Sequence, residues 1–424
     1  MASPSPDRLR SALKKYWGHD EFRPRQEEIV QSLLAGRDVA VVMPTGGGKS
    51  LCYQLPAVVI EKTAVVISPL IALMQDQVVQ LEGMGIPAAY LNSTQNPSAQ
   101  TQVMWKAVEG AYRVVYLSPE RIAREDTLAW LSRVPVSFFA IDEAHCISEW
   151  GHEFRPEYRQ LQILRQKFPH VPIAAFTASA TRLVRQDMIR LLQLRDPDKY
   201  IRSFQRPNLY YLVRKVNAAT QDRLLVEAVR AHVGKNVIVY APTIARVQET
   251  IEFLRVNHIA AVPYHGQMKG PERQANQDCW MAEEIPVLVG TIAFGLGINK
   301  PNVRAVIHLS LPKSIEQYYQ EAGRAGRDGK PADCALLWQP RDVPLLIHFI
   351  RQLNDRDEIR RSWRRLDDIR KFADHPVCRA LQICRHFGET PKWTQCGRCD
   401  VCSDGPAWFQ ISDQKRKRRS RQRR

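Results

Sequence analysis

Two short stretches hold residues whose types and spacing suit phosphate chemistry. Pro44-Thr45-Gly46-Gly47-Gly48-Lys49-Ser50 follows the apolar run Asp38–Met43 and precedes the helix-compatible Leu51-Cys52-Tyr53-Gln54-Leu55. A glycine-rich turn from strand to helix gathers several backbone N–H groups, and the helix N-terminus adds the positive end of its dipole. In such a turn the Lys49 ammonium reaches the β- and γ-phosphates of a nucleotide such as ATP, and the Ser50 hydroxyl holds Mg²⁺. The usual motif carries glycine five residues before Gly48; here Met43 stands there. The second stretch, Asp142-Glu143-Ala144-His145, ends the apolar run Ser137–Ile141. An acid at the end of a buried strand beside a phosphate loop is placed for Mg²⁺, directly or through water. Glu143 next to it is placed to polarise an attacking water as general base. A glycine-rich surface turn and a solvated acidic loop would be the inert versions of these motifs. They leave unexplained why both sit at the ends of apolar strands. The chemistry implied is nucleoside triphosphate hydrolysis.

A third constellation is built from cysteine. Nine cysteines are present; Cys52, Cys146, Cys279 and Cys334 are scattered, and five fall between Cys378 and Cys402. Cys378 is followed, after seventeen intervening residues, by Cys396-Gly397-Arg398-Cys399-Asp400-Val401-Cys402. Clustering of this kind in an intracellular chain points to metal rather than disulfides. Cys378, Cys396, Cys399 and Cys402 suit a closed tetrahedral Zn²⁺ site. On a helix from Pro376, Cys384 would lie about 240° round the axis from Cys378, so it is expected in the core. The C-x-x-C-x-x-C run also resembles part of an iron–sulfur ligand set, without the usual downstream Cys-Pro.

The elements that must position these groups follow from patterning. Apolar runs at Asp38–Met43, Ala64–Ser68, Arg113–Leu117, Val136–Ile141 and Pro172–Phe176 alternate with amphipathic stretches such as Ile71–Glu82 and Leu183–Leu194. Continuous apolar runs alternating with helices are the pattern of a parallel sheet covered on both faces. The rhythm resumes after Arg206-Pro207-Asn208, read as a linker, at Val237–Tyr240, Ala260–Tyr264, Pro286–Val289, Arg304–Leu309 and Asp333–Trp338. From Pro340 the strand signals stop and Arg341–Phe372 reads as charged helix. The expected fold class is α/β: two tandem parallel-sheet lobes (1–206 and 207–340), a small helical zinc-binding module (341–404) and a basic tail (405–424). Lys and Arg number 61 against 44 Asp and Glu, giving +17; eight of those positive charges lie in Lys415–Arg424, and removing them leaves +9. Such a surplus favours a polyanion, most often nucleic acid, through counterion release. Hydrophobic residues at 44% and charged residues at 25% exclude wholesale disorder. No apolar run approaches the ~18 residues that cross a bilayer, and no signal segment follows the N-terminus. The expectation is a soluble intracellular protein with no membrane partner.

At this point the residues resemble a known family. Asp142 to Tyr158, reading DEAHCISEWGHEFRPEY, looks like the RecQ DNA helicases of superfamily 2, and the resemblance runs from about Tyr16 to Cys402. It implies RecA-like lobes, ATP as substrate with Mg²⁺, and Zn²⁺ on the four cysteines, whose full spacing the family's zinc module matches. Phe22-Arg23-Pro24-Arg25-Gln26 resembles the adenine-reading motif, with Gln26 on the base, Arg23 nearby and His19 stacking. Phe176 to Thr181 resembles the motif that links the phosphate site to DNA, and Thr291 to Asn299 a further motif of the second lobe. Gln320-Glu321-Ala322-Gly323-Arg324-Ala325-Gly326-Arg327 resembles the family's final motif. By that resemblance Gln320 belongs to the nucleotide site, Arg327 is the arginine finger on the γ-phosphate and Arg324 a neighbouring phosphate contact. Arg324 and Arg327, three apart, are expected on one helical face. Trp150, Phe154 and Tyr158 stand four apart, a core spacing on a helix, but Gly151 and Pro156 argue for a loop with exposed rings. With His152, Arg155 and Arg159 beside them, such rings suit base stacking and phosphate pairing on single-stranded nucleic acid; the resemblance implies that this loop reports DNA to the ATPase site. The expected activity is 3′-to-5′ translocation on single-stranded DNA with unwinding of duplex, partial-duplex or branched DNA in repair or recombination. The expected protein is a monomer of the bacterial cytoplasm and nucleoid, or of the nucleus. Only 22 residues follow Cys402, so neither the family's winged-helix module nor its small helical domain is expected.

Overall fold

Runs of valine, isoleucine and alanine become parallel strands in both halves of the chain, because β-branched residues fit a pleat that helices cover on both faces. The computed structural model describes residues 6–92, 95–291 and 300–410. The chain divides into two units, Met1–Phe204 and Gln205–Arg424.

The first unit carries β1 (Val39–Val42), β2 (Thr63–Ile67), β3 (Ala88–Leu91), β4 (Val114–Leu117), β5 (Val136–Ile141), β6 (Ile173–Thr177) and β7 (Asp198–Ile201). They pair in the order β3-β4-β2-β5-β6-β1-β7, every neighbour parallel. β1, β2 and β6 are buried throughout, as are the inner residues of β5. Patterning misses β3 and β7. Asp-Lys-Tyr-Ile is too polar to read as a strand, and β7 exists because β1 offers it a free edge, with Val39 opposite Asp198. The helix expected over Leu183–Leu194 is Arg182–Leu191, capped by the Thr181 hydroxyl and followed by the left-handed Gln193 at φ 51°. β6 alone separates β1 from β5, so the segments leaving those two strands emerge from the same sheet edge about 10 Å apart. Ligand sites of open parallel sheets form at that carboxyl edge.

The second unit carries β8 (Leu209–Lys215), β9 (Asn236–Tyr240), β10 (Ala261–Tyr264), β11 (Val287–Gly290), β12 (Val303–His308) and β13 (Ala332–Trp338). Their order is β10-β11-β9-β12-β13-β8, again parallel. β8 was hidden by the expected linker: the strand begins immediately after Asn208, and Arg206 and Asn208 are bonded into the unit rather than slack. The charged stretch from Arg341 is two helices, Asp342–Arg351 and Arg356–Asp374. They are separated by Gln352–Asp355, where the Asp355 carboxylate accepts from the N–H groups of Asp357 and Glu358 and starts the second helix. A short helix, Arg379–His386, precedes the cysteine segment. No helix among the described residues is long and apolar enough to cross a membrane. Residues 292–299, most of the Thr291–Asn299 motif, and the basic tail from residue 411 lie outside the described residues.

Candidate active site and metal centre

The phosphate loop leaves β1 and enters the helix Lys49–Ile60 at Gly48. Gly48 has φ +82°, and a Cβ there would stand 2.3 Å from the Gln26 amide nitrogen. Only glycine allows both the turn and that approach. Met43, at the position where the common motif has glycine, is wholly buried; it serves the core instead of the turn. Gln26 opens the helix Gln26–Leu34 and is 3% exposed. Its amide nitrogen donates to the Gly48 carbonyl at 3.0 Å and, more weakly, to Gly47 at 3.5 Å; its Oε1 accepts from Arg23 N at 2.8 Å. Arg23 donates to the Gly46 carbonyl. These two residues thus brace the loop from outside. His19 is exposed nearby in sequence, and Lys49 Nζ lies 3.4 Å from the Met43 carbonyl.

Asp142 stands at the end of β5, 7% exposed. Burial, reinforced by the Glu143 carboxylate, pushes its carboxyl up to about 7, and Lys49 opposes the rise. Burial disfavours ionisation of Glu143 too, but the His145 ring and Lys49 hold its carboxyl down to about 2. The two adjacent carboxyls are therefore pushed in opposite directions, Asp142 up and Glu143 down. Ser50, in the first turn of its helix, and Asp142 carry the kind of oxygen donors that a hard cation takes.

The segment after the carboxylates is wired back to them. His145, fully buried, brings Nδ1 to 2.8 Å from Thr177 Oγ1 and 3.2 Å from Glu143 Oε2, so one ring nitrogen joins Glu143 to the end of β6. The His152 ring stacks on His145 with centroids 4.7 Å apart. Ser148 Oγ donates to the buried Asp187 at 2.7 Å and accepts from Trp150 N. Arg155 donates to the Pro69 carbonyl, while Arg159 pairs with Glu149 at 2.7 Å and lies over the Phe154 ring. Trp150 is 39% exposed and Phe154 half-buried. Tyr158 corrects the expectation of three exposed rings: it is fully buried, and its hydroxyl donates to the Asp142 carbonyl at 2.9 Å. Pro156 starts a short helix, Pro156–Arg159, that turns this ring into the core.

In the second unit the helix Ile315–Ala322 carries Gln320 and stops before the arginines. The helical-face expectation for Arg324 and Arg327 is therefore incorrect: Gly323 caps the helix, and Gly326, at φ +54°, turns the chain. Arg324 is buried and Arg327 half-buried.

Cys378, Cys396, Cys399 and Cys402 bring their four sulfurs within 4.8 Å of one another. Four thiolates at about 2.3 Å from a tetrahedral Zn²⁺ would stand close to 4 Å apart, so the set fits that ion. Arg398 N points at Cys396 Sγ at 3.3 Å. The buried Arg379 holds Asp400 through Nε and Nη2 at 3.0 and 2.9 Å, and Asp400 N donates to the Tyr211 carbonyl on β8, docking the cysteine segment on the sheet edge. Cys384 is buried and apart from the four, as expected.

Comparison with known proteins agrees with this arrangement. Residues 23–186 match the DEAD/DEAH box helicase family, 220–329 the helicase conserved C-terminal domain and 340–403 the RecQ zinc-binding domain. The chain is 44% identical over 398 residues to the ATP-dependent DNA helicase RecQ of Pasteurella multocida, covering 94% of this chain and 62% of that protein. It is 39% identical to the Bacillus subtilis protein of the same name, covering 96% and 68%. The chain thus spans roughly two thirds of the length of these relatives. Among solved structures, S. cerevisiae Dbp5 bound to RNA and ADP BeF3 shares the fold, with TM-score 0.62, 16% identity and coverage of 87% and 92%.

Proposed function

This chain belongs to the RecQ family of helicases, and on that premise we propose that it hydrolyses ATP to move along single-stranded DNA and separate duplex or branched DNA. The observation that carries the reading is the bonding between the acidic pair and the loop that follows it. Asp142 is held by Tyr158 and Glu143 by His145, so a strand pressed on Trp150 or Phe154 acts through the same loop on the groups that hydrolyse nucleotide.

In this reading the N–H groups of Thr45 to Gly48 cradle the phosphates and Lys49 neutralises them. Ser50 and Asp142 would hold Mg²⁺, which supplies charge neutralisation on the phosphate oxygens. Glu143 takes a proton from water as the water oxygen bonds to the γ-phosphorus, and the bond from that phosphorus to the β–γ bridging oxygen breaks to release ADP. Arg327 stabilises the charge that develops on the γ-phosphate, Arg324 contacts a neighbouring phosphate, and Gln320 lies by the nucleotide. His19 stacks on the base that Gln26 and Arg23 approach. Trp150 and Phe154 stack on DNA bases, with His152 and Arg155 setting the loop. Cys378, Cys396, Cys399 and Cys402 would hold Zn²⁺, which would cross-link the segment that Asp400 ties to β8. We divide the work between lobes at 1–206 and 207–340, with the zinc module at 341–404 as a docking element. The polarity we assign is 3′ to 5′ and the role repair or recombination, in a monomer that acts wherever the chromosome lies; both extend the family reading.

The test is one titration of ATPase rate against single-stranded DNA, duplex DNA and RNA of matched sequence. Stimulation by single-stranded DNA well above RNA supports the reading, and equal or greater stimulation by RNA overturns the choice of substrate. Lys49→Ala should impair nucleotide handling, whereas Arg327→Ala should bind ATP yet lose about 10³-fold or more in kcat.

A further inference from the structure

The arginine loop is not shaped by helix propensity, since its helix ends at Ala322. Backbone bonds from Gly326 N to the Val303 carbonyl at 2.9 Å and from Asp328 N to the Pro301 carbonyl at 3.2 Å hold its N–H side, and two side chains from more than a hundred residues earlier hold its carbonyls. Arg206 donates through Nη1 to the Gly323 carbonyl at 3.4 Å and through Nη2 to those of Ala325 at 3.1 Å and Gly326 at 3.0 Å. Asn208 Nδ2 donates to the carbonyls of Gly326 at 2.8 Å and Lys330 at 2.9 Å. Gly323 and Ala325 flank Arg324, Gly326 immediately precedes Arg327, and Lys330 follows it. The fit is close: a Cβ on Gly326 would stand 2.4 Å from Asn208 Nδ2 and 2.7 Å from the Lys330 carbonyl. A planar guanidinium can reach several carbonyls at once, which an ammonium point charge does less well.

We infer that Arg206 and Asn208 are positioning residues for ATP hydrolysis, setting the backbone of the loop that presents Arg324 and Arg327. The inference rests on the reading of Arg327 as the γ-phosphate arginine. Arg206 and Asn208 are among the first residues of the unit that begins at Gln205. Catalytic groups displaced by about 1 Å lose on the order of 10²-fold in rate. Loosening three of the carbonyl contacts should therefore act on turnover more than on binding.

The experiment is a double-mutant cycle in the full chain, using Arg206→Lys, Arg327→Ala and the pair, with Asn208→Ala as a second variant that removes two bonds and keeps the guanidinium. ATPase at saturating single-stranded DNA, KM for ATP and melting temperature are measured for each. Arg206→Lys is expected to lower kcat by about 10- to 100-fold with KM within about twofold. Added to Arg327→Ala it should cost less than about twofold more, because the group it positions is already gone. Asn208→Ala should repeat the pattern with a smaller loss. Losses that multiply on the Arg327→Ala background, or KM and melting moving together with kcat, would overturn the inference and make both residues merely structural. Near-normal kcat in Arg327→Ala would instead overturn the arginine-finger reading beneath it, whatever Arg206→Lys does.

Discussion

Tyr158→Phe isolates the link between the nucleotide site and the loop that follows it. The ring is fully buried and phenylalanine keeps its volume, so no cavity opens; what is lost is one hydrogen bond, 2.9 Å long, to the Asp142 carbonyl. A neutral bond of this kind contributes about 1 kcal/mol, and an unsatisfied buried acceptor can raise the cost to about 1–3 kcal/mol. In a unit of this size each kcal/mol should lower the melting temperature by about 2–4 °C. If the same bond transmits loop position to Asp142, that free energy is missing from the DNA-activated transition state. The stimulated kcat should then fall by about fivefold per kcal/mol. The DNA-free rate, in which the loop carries no load, should fall by less than about twofold. The assay is steady-state ATPase with and without saturating single-stranded DNA, alongside thermal melting of the same preparation. Equal losses in the two rates, or a melting shift with both rates intact, would refute the transmission argument and leave the hydroxyl a packing feature.

Three further outcomes are expected. Trp150→Ala, at a ring 39% exposed, should abolish stimulation by single strands and weaken DNA binding by about 1–3 kcal/mol, as one lost stacking contact would; a stability loss of about 3–5 kcal/mol with all activities falling together would mean the ring is core. Cys399→Ser should release the metal and loosen the segment that Asp400 ties to Tyr211, read by elemental analysis and limited proteolysis; iron, or no metal, in the unmutated protein would contradict the zinc assignment. Removing Lys415–Arg424 should flatten the salt dependence of DNA binding and leave kcat at saturating DNA unchanged; an unchanged salt slope would rule out a clamp.

Chain-local chemistry was legible in the residues themselves. The phosphate loop, the acids ending an apolar strand, the cysteine spacing and most of the strands each depend on neighbours within a few positions, where sterics and patterning act directly. β7 and β8 were not legible, because an edge strand is decided by the strand it meets: Val39 recruits Asp198, and β13 recruits the residues after Asn208. Tyr158 stood at the same spacing as two more exposed rings, and only packing separated it from them. The arginines show the division most clearly. Their types and order were visible, but a helix was expected where the chain turns at Gly326. The side-chain bonds that hold the carbonyls of that turn come from Arg206 and Asn208. A contact across more than a hundred residues leaves no periodic trace in the sequence, since it exists only once the parallel sheet has brought β8, β13 and β12 side by side.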